Sequence, residues 1–147
     1  MKKMNNKGFS LVELIIVIAI MAVLVGVLAP QFLKYVESSR QSRDEQSMGE
    51  VNNAVKVACA DEKVFSALNT GSTTVTFGGG TAATNVVAGN TALQNELNVT
   101  VGLVEPFSSK KYKGRTATTT VSVNTSNWSV TVETTCPATA GDPFTVK

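Results

Sequence analysis

The longest apolar stretch of the chain lies within its first thirty-odd residues. From Leu14 to Leu33 no side chain is charged, and twenty helical residues at about 1.5 Å each span the roughly 30 Å hydrocarbon core of a bilayer. Three lysines and no acid precede Gly8. This pattern predicts a membrane-spanning helix with a cytoplasmic N-terminus, so the rest of the chain is expected outside the membrane.

The helical pattern continues beyond the apolar stretch. From Gln31 to about Phe65, apolar residues recur every three or four positions, with charged residues between them. We expect one helix from Phe9 to Phe65, with its first half in lipid and its second half packed on a sheet. Pro30 removes a backbone donor and Gly26 loosens the helix just before it, so a kink or local melting is expected there.

Alternation of apolar and polar residues is the main pattern in the second half of the chain. The runs 119–123 and 128–132 alternate and flank a turn at 124–127, which predicts a β-hairpin. Gly71 is expected to end the long helix before this region. The other predicted elements are extended pieces at 73–77 and 85–88, and a short helix at 91–97 opened by a capping-box pattern.

These elements predict an α+β fold. A long N-terminal helix, first transmembrane and then amphipathic, is expected to pack on a small antiparallel β-sheet head. The apolar face of the hairpin needs a partner, and the exported half of the helix is the candidate.

Composition narrows the classes of function. The 147 residues carry 13 Lys and Arg against 11 Asp and Glu, a formal charge of +2, which is too small for a general nucleic-acid binder. There is no histidine, so the commonest general base and metal ligand is missing. We predict no catalytic residue, no metal site and no cofactor.

Glu13 is an acid placed at the start of the apolar segment. A carboxylate within a spanning helix is costly, so its presence favours a functional role. The alternatives are an ordinary secretory signal cut before Pro30 and a plain membrane anchor. Signal peptidases cut poorly before proline, which argues against the first of these.

A fixed pattern surrounds Glu13. A basic residue, a glycine, an aromatic residue and the glutamate occur in KGFSLVEL at 7–14, followed by IIVIAI at 15–20. This pattern resembles the prepilin peptidase recognition sequence of type IV pilins and pseudopilins, and the resemblance covers about the first thirty residues. It implies cleavage between Gly8 and Phe9, N-methylation of Phe9, and pairing of Glu13 with the Phe9 amine of a neighbouring subunit.

The resemblance also implies an organisation, a location and partners. Together with the sequence pattern beyond residue 30, it divides the chain into a leader peptide at 1–8, a transmembrane and filament-core helix at 9–33, the exported half of the helix at 34–69 and a β-rich head at 70–147. The precursor would be single-pass in the cytoplasmic membrane with its head outside, and the assembled form an extracellular pilus. The implied partners are other copies in a helical homopolymer, a prepilin peptidase that also methylates, an assembly ATPase and a platform membrane protein.

The implied function is a structural filament subunit, not an enzyme, serving adhesion, motility or DNA uptake. One alternative is a pseudopilin of a type II secretion or competence system. Another is a membrane-tethered binding module that holds DNA or a surface through an anionic-ligand patch. That patch would consist of bases around Tyr112, namely Lys110, Lys111, Lys113 and Arg115, although a short charged loop is also compatible with simple solvation.

Two cysteines, Cys59 and Cys136, lie in the expected exported part. We expect them to form a disulfide, with two free buried thiols as the alternative. They do not suffice for a metal site without further ligands.

Two further patterns favour structural explanations. The acids at 44, 45, 61 and 62 have bases nearby and are expected on a solvated helix face. The triple glycine at 78–80 lacks the Gly-Lys-Ser/Thr sequence and following helix of a phosphate-binding loop, so a turn is expected there.

Overall fold

Helix α1 (Leu11–Ala58) contributes to both compact units into which the chain divides, one ending at Val36 and the other beginning at Glu37. The computed structural model describes residues 8–68, 72–85, 87–124, 126–127, 129–139 and 141–147. Most of the predicted leader, at 1–7, lies outside these residues, as do Gly71 and Trp128.

In the first unit, every described residue from Gly8 to Tyr35 is exposed. Among the described residues, α1 is one helix long and apolar enough to cross a membrane. It continues unbroken through Gly26 and Pro30, so the local melting expected there does not occur. The kink at these two positions stays a prediction.

The end of α1 differs from the expectation. The helix stops at Ala58, and a separate helix α2 (Glu62–Ala67) follows. Asp61 starts α2 because its Oδ1 accepts hydrogen bonds from the backbone N–H groups of Lys63 at 2.8 Å and Val64 at 3.4 Å. The prediction of one helix to Phe65 was therefore wrong.

The second unit contains two antiparallel sheets and a further helix. The larger sheet has the strand order β3-β1-β5-β6-β7, and the smaller one pairs β2 with β4. The elements are β1 (Ser72–Phe77), β2 (Thr84–Asn85), β3 (Val87–Ala88), α3 (Thr91–Thr100), β4 (Leu103–Val104), β5 (Ala117–Asn124), β6 (Ser129–Cys136) and β7 (Phe144–Val146).

The predicted hairpin is confirmed as β5 and β6, with Val121 opposite Val132. The cap of α3 differs from the expected capping box, because Asn90 performs it. The Asn90 Oδ1 accepts from the N–H groups of Ala92 and Leu93 at 2.9 and 3.2 Å. The strands β4 and β7 were not expected.

The core lies between the second half of α1 and the larger sheet, as the predicted α+β fold requires. From α1, Met48, Val51 and Val55 are buried. Their partners in the same hydrophobic cluster include Val75, Phe77, Leu93, Leu97, Tyr112, Val121 and Val132. Burial of these apolar side chains supplies the main stabilisation of the head.

A polar connection also joins α1 to the hairpin inside this core. The buried Asn52 donates from Nδ2 to Thr134 Oγ1 at 2.9 Å, and Thr134 Oγ1 lies 2.6 Å from Thr119 Oγ1. Thr119 and Thr134 are paired across β5 and β6. Since buried polar groups must be hydrogen-bonded, this connection favours one alignment of the helix on the sheet.

Candidate functional site

The first candidate site is the start of α1. Glu13 is the third residue of this helix, and its Oε2 accepts a hydrogen bond from the Ser10 backbone N–H at 2.9 Å. Ser10 also accepts the bond that closes the first turn, from the Leu14 N–H at 3.3 Å. This is half of a capping box. A carboxylate in the first turn is further favoured by the helix dipole.

The segment before this turn is open to solvent. Gly8, Phe9 and Ser10 are exposed and outside the helix, with Phe9 87% exposed. A Cβ atom at Gly8 would meet none of the described atoms within 4 Å. The Glu13 carboxylate bonds to the N–H of the residue directly after Phe9, so it lies at the end of the helix where cleavage after Gly8 would release a positive amine. Such a carboxylate can neutralise that charge.

The second candidate site is the basic loop at 110–115. The structure buries its tyrosine and leaves three of its four bases exposed. Tyr112 is fully buried, and its hydroxyl donates to Glu45 Oε1 at 2.8 Å. Lys111 Nζ lies 3.6 Å from the same Glu45 oxygen and 4.9 Å from the centre of the Tyr112 ring. Burial raises the pKa of Tyr112, so its hydroxyl stays a donor. Tyr112 offers no open face to a nucleic-acid base.

Acids of α1 hold this loop in place. Asp44 is only 1% exposed and accepts from the backbone N–H of Ser109 at 2.8 Å and that of Ser108 at 3.1 and 3.2 Å. Glu37 accepts from the backbone N–H of Lys110. The expected solvated face was wrong for Asp44, because its carboxylate replaces water as the acceptor for two loop N–H groups.

The other bases of the predicted patch do not contact Tyr112 in the way that Lys111 does. Lys110, Lys113 and Arg115 are exposed, and Lys113 lines an open cavity together with Arg40 and Arg43 of α1. Sequence reasoning missed both arginines as site residues. Their spacing of three on a helix was the available signal.

The cysteines are two free, buried thiols, and the expected disulfide between Cys59 and Cys136 is absent. Cys59 follows the end of α1 and Cys136 ends β6. Burial raises the pKa of each thiol to about 11. Because the thiolate is the reactive form, both groups resist oxidation and exchange near neutral pH. Within the described residues, no three His, Cys, Asp or Glu side chains are grouped to hold a metal.

We expect both thiols to react with iodoacetamide at pH 8 about a hundredfold more slowly in the folded chain than in urea, because burial raises their pKa. The measurement is intact mass against time, with a small-molecule thiol as the control for reagent activity. Failure to alkylate in urea until a reductant is added would reveal a disulfide instead. Alkylation of the folded chain at the urea rate would contradict the burial of both groups.

Comparison with known proteins adds to this geometry. Residues 3–29 match the family model described as the prokaryotic N-terminal methylation motif. The chain is 32% identical over 111 residues to a type IV major fimbrial protein FimA of Dichelobacter nodosus, a match that covers 74% of this chain and 70% of that protein.

Two further relatives match over shorter stretches. A prepilin peptidase-dependent protein A of Clostridium perfringens is 34% identical over 67 residues, which cover 45% of this chain and 48% of that protein. The type IV major pilin protein PilA of Myxococcus xanthus is 33% identical over 62 residues, covering 42% of this chain and 28% of PilA. No solved structure matches the chain.

Proposed function

The chain belongs to the type IV pilin family, and on that premise we propose that it is a prepilin cut between Gly8 and Phe9. Phe9 is then N-methylated, and the mature subunit assembles into a helical surface filament. The observation that carries this proposal is the methylation-motif match at 3–29, together with the open segment at 8–10 before the Glu13 cap. The chain is a structural subunit, not an enzyme.

The proposed organisation keeps four parts: the leader at 1–8, the filament-core helix at 9–33, the exported half of the helix at 34–69 and the head at 70–147. The chain divides into two compact units after Val36. This division supports the proposed boundary between the filament-core helix, which ends at 33, and the exported half of the helix, which begins at 34. The cysteines and the buried face of α1 both belong to the second unit.

The exposed apolar residues of α1 explain the two proposed locations. A surface that is apolar on all sides of a helix, as at 14–33, needs a covering of lipid or of other helices. In the precursor this covering is the cytoplasmic membrane, and in the filament it is other copies of α1. The proposed partners are therefore other copies of the chain, and the prepilin peptidase, assembly ATPase and platform protein that the family resemblance implies.

Intact-mass and N-terminal fragment spectra of the protein, produced with a prepilin peptidase, test the proposed processing. We expect loss of residues 1–8 and one added methyl group on Phe9. Gly8→Val is the matched control: a Cβ atom at Gly8 meets none of the described atoms within 4 Å, so the variant should fold normally yet keep its leader. A mature protein that retains the leader, or that begins at Pro30, would overturn the proposal.

A further inference from the structure

An open cavity of about 870 Å³ lies between α1 and two loops of the head. All of its lining residues belong to the unit that begins at Glu37. The lining contains three cations and three hydroxyl groups, on Arg40, Arg43, Lys113, Ser39, Thr81 and Ser108. We propose that this cavity binds a ligand with two or more phosphate groups.

The three cations converge on the cavity from two elements. Arg40 and Arg43 are three residues apart on α1, which places them on the same helix face. Lys113 comes from the loop between β4 and β5. In the described part of the chain, the side chains of Arg40 and Lys113 have neither a hydrogen-bond partner nor an ion-pair partner. Their donors are therefore available to a ligand.

Arg43 is held in position by the protein. Its Nη2 donates to Ser108 Oγ at 3.2 Å and lies 3.9 Å from Asp44 Oδ1. A guanidinium group has five N–H donors in a planar fork, so donors remain after these contacts. The side chain is thus preorganised at the cavity wall, which lowers the entropy cost of binding.

The nearby acids Glu37 and Asp44 are not among the lining residues, and their oxygens are directed at N–H groups of the loop. None of the described residues that line the cavity is acidic. Asp44 is buried beneath the loop, where its oxygens accept from Ser108 and Ser109, and Glu37 accepts from Lys110. Asp44 balances part of the charge of Arg43. In the described part of the chain neither Arg40 nor Lys113 forms a salt bridge, so each adds a positive charge to the cavity wall.

The lining residues indicate which chemical groups the ligand carries. Arginine binds phosphate through paired donors, lysine adds a point charge, and hydroxyl groups supply further hydrogen bonds. The volume lies within the range of about 300–1,000 Å³ typical of small-molecule sites, which is more than one phosphate ion needs. The aromatic residue in the lining, Phe107, is 3% exposed and cannot stack on a nucleobase. Recognition therefore rests on phosphate groups and not on bases.

Calorimetric titration of the full-length chain in a non-ionic detergent with tripolyphosphate tests this proposal. We expect saturable binding that weakens as salt rises. Arg40→Gln and Lys113→Gln should each weaken binding about tenfold, because each removes a charge-assisted contact. Both side chains are exposed, so these variants should unfold at the wild-type temperature.

Lys110→Gln is the matched control. It removes the same charge from the same loop, but the Lys110 side chain does not line the cavity, and its contact with Glu37 uses the backbone N–H. Binding by this variant should equal that of the wild type. Equal weakening by Lys110→Gln and Lys113→Gln would overturn the site in favour of a diffuse basic surface.

Two further titrations distinguish the sources of phosphate. Inorganic phosphate should bind at least tenfold more weakly than tripolyphosphate. Equal affinity would contradict the proposal that the ligand carries two or more phosphate groups. An oligothymidylate should bind no more tightly per phosphate than tripolyphosphate, and binding of the oligonucleotide alone would overturn the proposal in favour of a nucleic-acid surface. These measurements use the unassembled chain, so their outcome does not depend on whether the chain forms filaments.

Discussion

Glu13→Gln is expected to leave cleavage and methylation intact and to lower filament yield by more than a hundredfold. The introduced amide oxygen can still accept the Ser10 N–H that Glu13 Oε2 accepts at 2.9 Å, so the helix cap is kept. The negative charge is lost. In the proposed filament, the Phe9 amine is then buried without a counter-charge, at a cost of about 3–5 kcal/mol. That cost corresponds to a factor of about 150 to 5,000 in the equilibrium constant for subunit addition.

The measurement is the quantity of sheared filament, by electron microscopy and immunoblot, with the processed mass checked in membranes. Glu13→Ala removes both the cap and the charge, so the two variants separate these roles. If the cap alone mattered, the glutamine variant would assemble and the alanine variant would not. Normal filament yield from Glu13→Gln would rule out the charge pair between subunits.

Hydrophobic patterns predicted the long elements because each pattern covers many residues, as a continuous apolar run in α1 and as alternation in β5 and β6. The apolar stretch of α1 and the alternation around Val121 and Val132 each extend over several turns or residues. The element ends were less accurate, because a cap depends on one side chain. Asp61 and Asn90 each accept two backbone N–H groups, whereas the sequence alone is equally compatible with solvent-exposed polar residues at both positions.

The two candidate sites also differed in how much of each could be predicted from the sequence. The motif at 7–14 is local, so its glycine, aromatic residue and glutamate could be identified from spacing. The contact of Asp44 with Ser108 joins residues 64 positions apart, and no spacing rule predicts it. The available signal was weaker: Glu37 and Asp44 are seven residues apart, hence on one face of α1.

Asp44→Ala is expected to lower the free energy of unfolding of the head by about 3 kcal/mol. The Asp44 carboxylate is 1% exposed and is the acceptor for the Ser108 and Ser109 N–H groups. Without it, these donors lose their acceptor, and an unsatisfied buried donor costs about 1–3 kcal/mol. Arg43 loses its nearby countercharge as well. Thermal and urea unfolding of the full chain, followed by near-ultraviolet circular dichroism, measure the change.

Glu50→Gln is the matched control on the same helix. Glu50 is exposed, and its Oε1 accepts from Gln46 Nε2 at 2.9 Å, which the amide oxygen of the variant can still do. This substitution should change the free energy of unfolding by no more than about 0.5 kcal/mol. The loss of unfolding free energy for Asp44→Asn should lie between those of Asp44→Ala and Glu50→Gln. One oxygen of the side chain remains as an acceptor, and the other is replaced by an NH₂ donor that faces a loop N–H. If Asp44→Ala were no more harmful than Glu50→Gln, the loop would be held by the burial of Tyr112 and its bond to Glu45. Binding at Lys113 would then not depend on Asp44.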